Sequence, residues 1–401
     1  MDTSKINDDF FRYIADNAGA DPLELRLKAH GAAKTSFDLG LAITQVECRR
    51  KARRKLPELS SKPRFIYPSP LSVEQSTGEA VAKLHASIVG QVGSVLDMTA
   101  GLGVDSYYIA GRAERVTAVE IDPEKAAAAR WNMDLYRPNV SVICGDSAQY
   151  LTANPDLRFD AVFIDPSRRA GDGSRVFGFS QCEPNVLPLL PIIGRRAGCL
   201  HVKASPMLDI TQSLRELRQV THVWVISLGG ECRELFFKVD FTAGSAEAAI
   251  HCLDITAGGE VQELTCTRHD IGKASTAIAP GLMEYLYEPN ASIMKAGVHH
   301  AATSRWGLAQ LSANSHLYTG SELVNGFHGR SFRVIKSLPF NVKALKRELK
   351  GLSQANVTTR NFPLTALQLR KRLNLADGGD SYIFATTLAS RARVVALCQK
   401  V

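Results

Sequence analysis

Four apolar, β-branched runs in the first half of the chain each end in an acidic residue beside a turn former, and their order restricts the fold more than any other feature. They are VLDMTAGLGVDS (95–106), VTAVEID (116–122), VICGDS (142–147) and FDAVFIDPSRR (159–169), and a fifth run, LHVKAS (200–205), follows. Runs of this kind read as strands buried on both faces, the habit of a parallel sheet covered by helices. In open α/β sheets ligands bind outside the carboxyl ends of the strands. Asp97, Glu120, Asp146 and Asp165, gathered at those ends, therefore predict one nucleotide-type site.

The turn after Asp97 carries Gly101 and Gly103, with a helix predicted from near Val104. Glycines there let backbone approach a ligand closely at a helix amino terminus. Such a pair alone also fits an ordinary tight turn. A dinucleotide dehydrogenase would place a third glycine where Ser106 stands. Glu120 lies 19 residues beyond Gly101, where a carboxylate can accept both hydroxyls of a ribose; a structural salt bridge is the alternative. Asp146, followed by Ser147, is placed to meet the exocyclic amine of an adenine, and a Gly-Asp turn is the plainer reading.

Taken in order on successive strands, these residues resemble the class I S-adenosylmethionine-dependent methyltransferases over residues 72–241. The resemblance implies an α/β fold with a Rossmann-like seven-stranded sheet, strands six and seven being VTHVWVISL and ELFFKVDF. It implies that Asp97, Gly101 and Gly103 cradle the methionine portion of S-adenosyl-L-methionine, that Glu120 holds the ribose and that Asp146 and Ser147 face the adenine. Ala100, Ile121 and Asp165 complete the implied cofactor set.

DPSRR (165–169) carries the substrate question. Amino-methylating members of this class have an acidic or amide residue, two prolines and an aromatic ring there. This chain keeps Asp165 and Pro166 and has Ser167 and Arg168 instead. The resemblance assigns catalysis to these four, with the Asp165 side chain and Pro166 carbonyl accepting from a target amine. A guanidinium can stack on a base or bind phosphate, and surface ion pairs for Arg168 and Arg169 are the alternative. DPSRRAG also resembles the DPPRAG segment of the 5-methyluridine methyltransferases, which use a cysteine at the end of the next strand. That position reads Lys203-Ala-Ser-Pro206 here, and Cys199 stands at the strand's start, so covalent attack on a pyrimidine is disfavoured. Lys203 either contacts phosphate or an acid, or snorkels. The helix DPEKAAAARWNMDLY resembles that of trimethylguanosine synthase; Trp131 and Tyr136 at its helical spacing read as packing residues rather than base-stacking ones.

Charge separates the two ends of the chain. Of a net +8, residues 281–401 hold 16 Lys and Arg against 6 Asp and Glu, or +10, leaving the first 280 residues at −2. A second basic cluster, RRKARRK, spans 49–55. Basic regions around a near-neutral centre point to nucleic acid, with solvated helix faces as the alternative. YLYEPNASIMKAG (285–297), FHGRSF (327–332), ANVTTRNFPL (355–364) and DGGDSYIFATT (377–387) resemble a bacterial methyltransferase family with a ferredoxin-like segment and a THUMP-like terminal domain. THUMP modules bind tRNA in several modifying enzymes. Arg330, Lys343, Lys346, Arg347, Lys350, Arg360, Arg370, Lys371 and Arg372 are the residues expected near RNA phosphate.

The expected domains are a helical region (1–71), a methyltransferase domain (72–241), a connecting ferredoxin-like segment (242–323) and a THUMP-like α+β domain (324–401). KPRFIYPSP (62–70) reads as a linker, Ser72 and Gln75 as a capping box opening a helix to about 89, and DITAGGEVQEL as a hairpin. Strands are expected at 332–336 and 381–387, helices at 341–350 and 364–373. No apolar run approaches a membrane span and the amino terminus lacks signal-peptide parts, so a cytoplasmic protein is expected. The eight cysteines and ten histidines show no metal-ligand spacing. The activity expected is methylation of a base nitrogen in tRNA or rRNA. Methylation of a small molecule or protein, and RNA binding by an inactive methyltransferase fold, are the alternatives. Oligomeric state is not legible.

Overall fold

The computed structural model describes residues 3–30, 35–168, 178–243, 247–267, 269–270 and 277–401. The chain divides into two compact units, Met1–Thr221 with Phe236–Ala246, and His222–Leu235 with Glu247–Val401.

The first unit opens with helices α1 (Asp8–Asp16), α2 (Pro22–Ala29), α3 (Leu39–Lys55) and α4 (Pro57–Ser61). Asn7, Asp21 and Asp38 cap the first three, each side chain accepting a first-turn N–H. Phe10, Ile14, Leu25, Ile43 and Val46 bury together between them.

The segment predicted as a linker is pinned to this core. Phe65, Ile66 and Tyr67 are buried. Side-chain amides satisfy the backbone groups that this extended piece cannot pair in a ladder. Asn132 accepts from Ile66 N at 2.8 Å and donates to Ile66 O at 2.9 Å, and Gln45 does the same for Tyr67 at 2.8 Å each way. Arg49 donates to the carbonyls of Ser60, Lys62, Pro63 and Phe65. The 49–55 cluster is therefore partly structural: Lys55 donates to Val73 O and Glu74 O, Lys51 pairs with Glu47 and Glu74, and Arg50, Arg53 and Arg54 stay exposed.

The predicted capping box is also displaced. Ser69, not Ser72, caps α5 (Pro70–Gln75), which stops there; α6 (Glu79–Val89) begins afresh after Gly78. Pro70 lacks an N–H and suits a first helical position, which draws the start upstream.

The remainder alternates strand and helix: β1 (Val92–Asp97), α7 (Val104–Ile109), β2 (Ala113–Glu120), α8 (Pro123–Tyr136), β3 (Val140–Cys144), α9 (Ser147–Ala153), β4 (Phe159–Ile164), α10 (Leu190–Gly194), β5 (Ala197–Ala204) and α11 (Ile210–Leu217). The strands are parallel in the order β5-β4-β1-β2-β3. Order reverses on either side of β1, which makes its carboxyl end the topological switch point. β6 (Val220–Leu228) and β7 (Glu231–Asp240) follow, and the half of β7 from Phe236 belongs to this unit, beside β5.

In the second unit β8 (Ala249–Ile255) runs parallel to β6, and β9 (Val261–Thr267) turns back on β8 as the predicted hairpin. These two strands are additional to the seven expected. A separate sheet holds β10 (Tyr285–Pro289), β11 (Ala309–Gln310), β12 (Tyr318–Gly320), β13 (Gly329–Pro339), β14 (Asn356–Arg360), β15 (Ser381–Thr387) and β16 (Arg393–Lys400), in the order β11-β12-β10-β13-β16-β15-β14. All neighbours are antiparallel except β14 and β15. Helices α12 (Ala291–Ala296), α13 (His299–Trp306), α14 (Val342–Glu348) and α15 (Ala366–Leu373) join these strands; Leu345 of α14 and Leu369 and Leu373 of α15 share a core with Ile383 and Val395.

Candidate active site

Parallel register sets the site. Asp97 is opposite Ala118 on β2 and Phe163 on β4, and Glu120 is opposite Cys144 on β3. Asp97, Glu120, Asp146 and Asp165 consequently line up along the carboxyl edge, at or just past the ends of β1 to β4, with Lys203 near the end of β5.

Asp97 is fully buried; it accepts from Thr99 N at 3.0 Å and from the Ser106 hydroxyl at 2.5 Å. Burial pushes its carboxyl up to about 7, more than those two bonds pull it down. Ala100 donates its N–H to Val119 O at 3.0 Å and accepts from Gly103 N at 2.7 Å, closing the turn. Gly101 and Gly103 have φ of 58° and 83°. A Cβ on Gly103 would lie 2.6 Å from Met133 Cε, whereas one on Gly101 would meet only Thr99 O, at 4.0 Å. Gly103 lets the loop pack on α8, and Gly101 leaves its outer face open.

Glu120 accepts from Gly101 N at 2.7 Å through one oxygen and from Asp122 N at 2.9 Å through the other. Each oxygen keeps a lone pair for a further donor. Ile121 beside it is 69% exposed, an apolar surface open to solvent. Asp146 caps α9 by accepting from Gln149 N at 2.9 Å, and Ser147 is buried behind it.

Past β4, Asp165 N donates to the Thr99 hydroxyl at 2.7 Å, tying the DPSRR segment to the glycine loop. The Asp165 carboxylate accepts from Lys203 Nζ at 2.6 Å. Lys203 also donates to Thr77 Oγ1 at 2.9 Å, Thr77 donates to Asp105 at 2.5 Å, and Asp105 lies 2.8 Å from Nδ1 of the fully buried His85. Burial pushes the Asp105 carboxyl up, and the His85 bond, the Lys203 charge and the Thr77 bond more than offset it, so it stays below its ordinary value. Lys203 thus contacts an acid, one of the two readings its position allowed. Thr77, His85 and Asp105 were missed; Asp105 stood inside the glycine-loop run, but nothing in the sequence places a helical His85 beside it.

Ser167 and Arg168 form a two-residue ladder with Glu183 and Cys182, and the Ser167 hydroxyl donates to Glu183 O at 3.1 Å. Pro166 is half-buried before it, and Arg169 lies outside the described residues. Cys199 pairs with Ala161 at the far end of β5 from Lys203. Trp131 stacks on Phe11 with centroids 6.2 Å apart and donates to Arg64 O, and Tyr136 lies 6.4 Å from Phe65. Both are packing residues. Among the described residues no group of three His, Cys, Asp or Glu could hold a metal ion, and no helix is long and apolar enough to cross a membrane.

A methyltransferase-domain family model matches residues 95–168, a ferredoxin-like domain 285–327 and a THUMP domain-like model 329–400. A crystal structure of a candidate methyltransferase from Porphyromonas gingivalis W83 is 29% identical and covers 98% of this chain and 97% of its own, with a TM-score of 0.89. An uncharacterized S-adenosylmethionine-dependent methyltransferase of Mycobacterium tuberculosis H37Rv is 26% identical over 338 residues, 82% of this chain and 87% of that one. A Mycoplasma mobile protein named as an RNA methyltransferase is 38% identical over 77 residues, 19% of this chain and 21% of its own. The domain match at 95–168 and these relatives make the chain an S-adenosylmethionine-dependent methyltransferase. More particularly, the chain joins a methyltransferase domain, a ferredoxin-like domain and a THUMP-like domain.

The edge suits that cofactor on its own chemistry. It offers a buried carboxylate whose ionisation a cationic ligand would favour, a glycine loop open on its outer face, and a carboxylate with lone pairs to spare beside exposed Ile121.

Proposed function

We propose that this methyltransferase is a cytoplasmic enzyme acting on a base nitrogen of tRNA or rRNA. S-adenosylmethionine supplies a methyl group already activated on a sulfonium. Asp97, Ala100, Gly101 and Gly103 would hold its amino-acid end, Glu120 and Ile121 its ribose side, and Asp146 and Ser147 its adenine. With the methyl activated, the protein's work is alignment and exclusion of water. Asp165 and the Pro166 carbonyl would accept hydrogen bonds from the target amine and point its lone pair, with Ser167 and Arg168 bounding the pocket. Lys203 positions the Asp165 carboxylate through the 2.6 Å bond.

The observation carrying this reading is the fixed Asp165, tied to the glycine loop through its N–H and to Lys203 through its carboxylate. RNA is supported by the basic second unit: α14 and α15 pack on one core and expose Lys343, Lys346, Lys371 and Arg372, with Lys350 exposed in the turn after α14, none in an ion pair among the described residues. Arg347 and Arg370 pair with Glu348 and Asp377. The 77-residue match to a protein named as an RNA methyltransferase and the THUMP-like match point the same way.

The test is Asp165→Ala. Loss of an acceptor made for the reacting amine should lower methyl transfer roughly 100-fold or more at saturating S-adenosylmethionine. Transfer at the wild-type rate would remove Asp165 from the chemistry.

A further inference from the structure

The second unit carries a cleft of its own. It holds about 840 Å³ and is lined by Glu288, Asn290, Lys295, Arg330 and Arg360 together with Asp254 and the apolar Ile255, Pro289 and Met294. Three of the segments singled out in the sequence, YEPN, HGRSF and TTRNF, contribute Glu288, Arg330 and Arg360 to it.

Glu288 is 4% exposed and sits directly opposite Arg330 across β10 and β13. Gly329 permits that approach, since a Cβ there would lie 2.2 Å from Glu288 O. One carboxylate oxygen of Glu288 accepts from Arg330, with Nε at 2.9 Å and Nη2 beside it; the other accepts from Arg360 Nε at 3.2 Å and Nη2 at 2.9 Å. Three strands separate β10 from β14 in the sheet order, so the sheet must curl for Arg360 to arrive. Each guanidinium directs Nε and Nη2 at the carboxylate, leaving its Nη1 for another acceptor. A carboxylate that holds two guanidinium planes in fixed orientation, both still about 40% exposed, pre-organises them.

A second observation is independent of the arginines. Asn290 is 9% exposed, lines the same cleft, and leaves its Nδ2 without a hydrogen-bond partner, while its Oδ1 accepts from Ile293 N at 3.0 Å and from the Ser292 hydroxyl. A buried amide donor without an acceptor is costly, which favours a ligand oxygen beside it. With Lys295, three cations face two carboxylates, Glu288 and Asp254. Fork-shaped donors and an unmatched N–H select an anion with several oxygens, and the apolar wall and volume allow far more than a bare ion.

We propose that this cleft binds the phosphate of a ribonucleotide, with Asn290, Arg330 and Arg360 as donors. The phosphate comes either from a phosphodiester of the RNA substrate, which rests on the reading above, or from a free ribonucleotide.

The test measures binding of adenosine 5′-monophosphate and of fluorescent tRNA-fraction RNA to the full chain, wild type against Asn290→Asp and Arg360→Lys. Asn290→Asp keeps the Oδ1 acceptor that caps α12 and replaces the donor by a negative charge. It should weaken binding of a phosphate probe at least tenfold. Arg360→Lys keeps the charge beside Glu288 and loses the fork, and should weaken it several-fold, which preserves the test if the first variant does not fold. Loss in the RNA arm assigns a phosphodiester. Loss for the mononucleotide with no RNA binding by the wild type keeps the cleft's assignment and removes the RNA substrate. RNA binding that neither variant changes, with no mononucleotide binding, overturns the cleft and leaves the RNA substrate standing. No binding of either probe by the wild type overturns both.

Discussion

The Asp97→Asn substitution separates the charge of the glycine-loop carboxylate from its shape. The carboxyl accepts from Thr99 N and the Ser106 hydroxyl, and an amide can keep both contacts, accepting through Oδ1 and donating Nδ2 to Ser106 Oγ. Its acid constant near 7 means that roughly one molecule in ten carries the charge at pH 6 and nine in ten at pH 8. If the ionised form is the one that holds the cationic end of the cofactor, apparent affinity rises about tenfold over that interval. The Asp97→Asn variant should bind with no such rise, and about 10- to 100-fold more weakly than wild type at pH 8, the loss expected for a hydrogen bond between charged groups. The linked effect on stability has the opposite sign. The folded state holds the Asp97 proton more tightly than the unfolded chain, whose value is near 3.8, so stability is lost as pH rises from about 4 through 7. At about 1.4 kcal/mol per tenfold change in acid dissociation the loss is of order 4 kcal/mol. Titration calorimetry with S-adenosylhomocysteine at pH 6, 7 and 8, with melting curves at each, tests both. A wild-type affinity independent of pH, or an Asp97→Asn variant that keeps the rise, would refute the reasoning.

Gly103→Ala forces a side chain onto a backbone at φ 83° and against Met133; the melting temperature should fall by several degrees, about 1–3 kcal/mol, with cofactor affinity reduced as the loop shifts. Asn132→Ala strands both backbone groups of buried Ile66, and about 2–4 kcal/mol should be lost in urea unfolding; an unchanged midpoint would show that 62–70 is a linker after all. Lys371→Gln with Arg372→Gln removes two exposed cations from α15, so the dependence of RNA affinity on log salt should flatten by about one to two, while S-adenosylhomocysteine binding stays unchanged.

The row of carboxylates along the sheet edge was legible because each of them is tied to a strand end. Asp97, Glu120, Asp146 and Asp165 follow from apolar runs that stop, and parallel register then aligns them without further information. Packing of distant segments was not legible. The trio Phe65, Ile66 and Tyr67 between prolines looks like a connector until Gln45 and Asn132 arrive from two helices to satisfy its backbone. Arg49, within a basic cluster suggestive of nucleic acid, is occupied by four carbonyls for the same reason. In the site, Lys203 could be assigned to an acid or to solvent from the sequence. The bond to Asp165 and the onward path through Thr77 and Asp105 to His85 depend on α6 and α7 reaching the sheet edge together. Glu288, Arg330 and Arg360 were present in three quoted motifs, and only a curled sheet brings them to one carboxylate.

Methyl transfer to a base nitrogen of RNA is checked by supplying labelled S-adenosylmethionine to tRNA and rRNA fractions from cells lacking this protein, followed by nucleoside mass analysis. Label should appear in one base-methylated nucleoside of one fraction, carried on nitrogen. Measurable cofactor binding with no label in any RNA would contradict it.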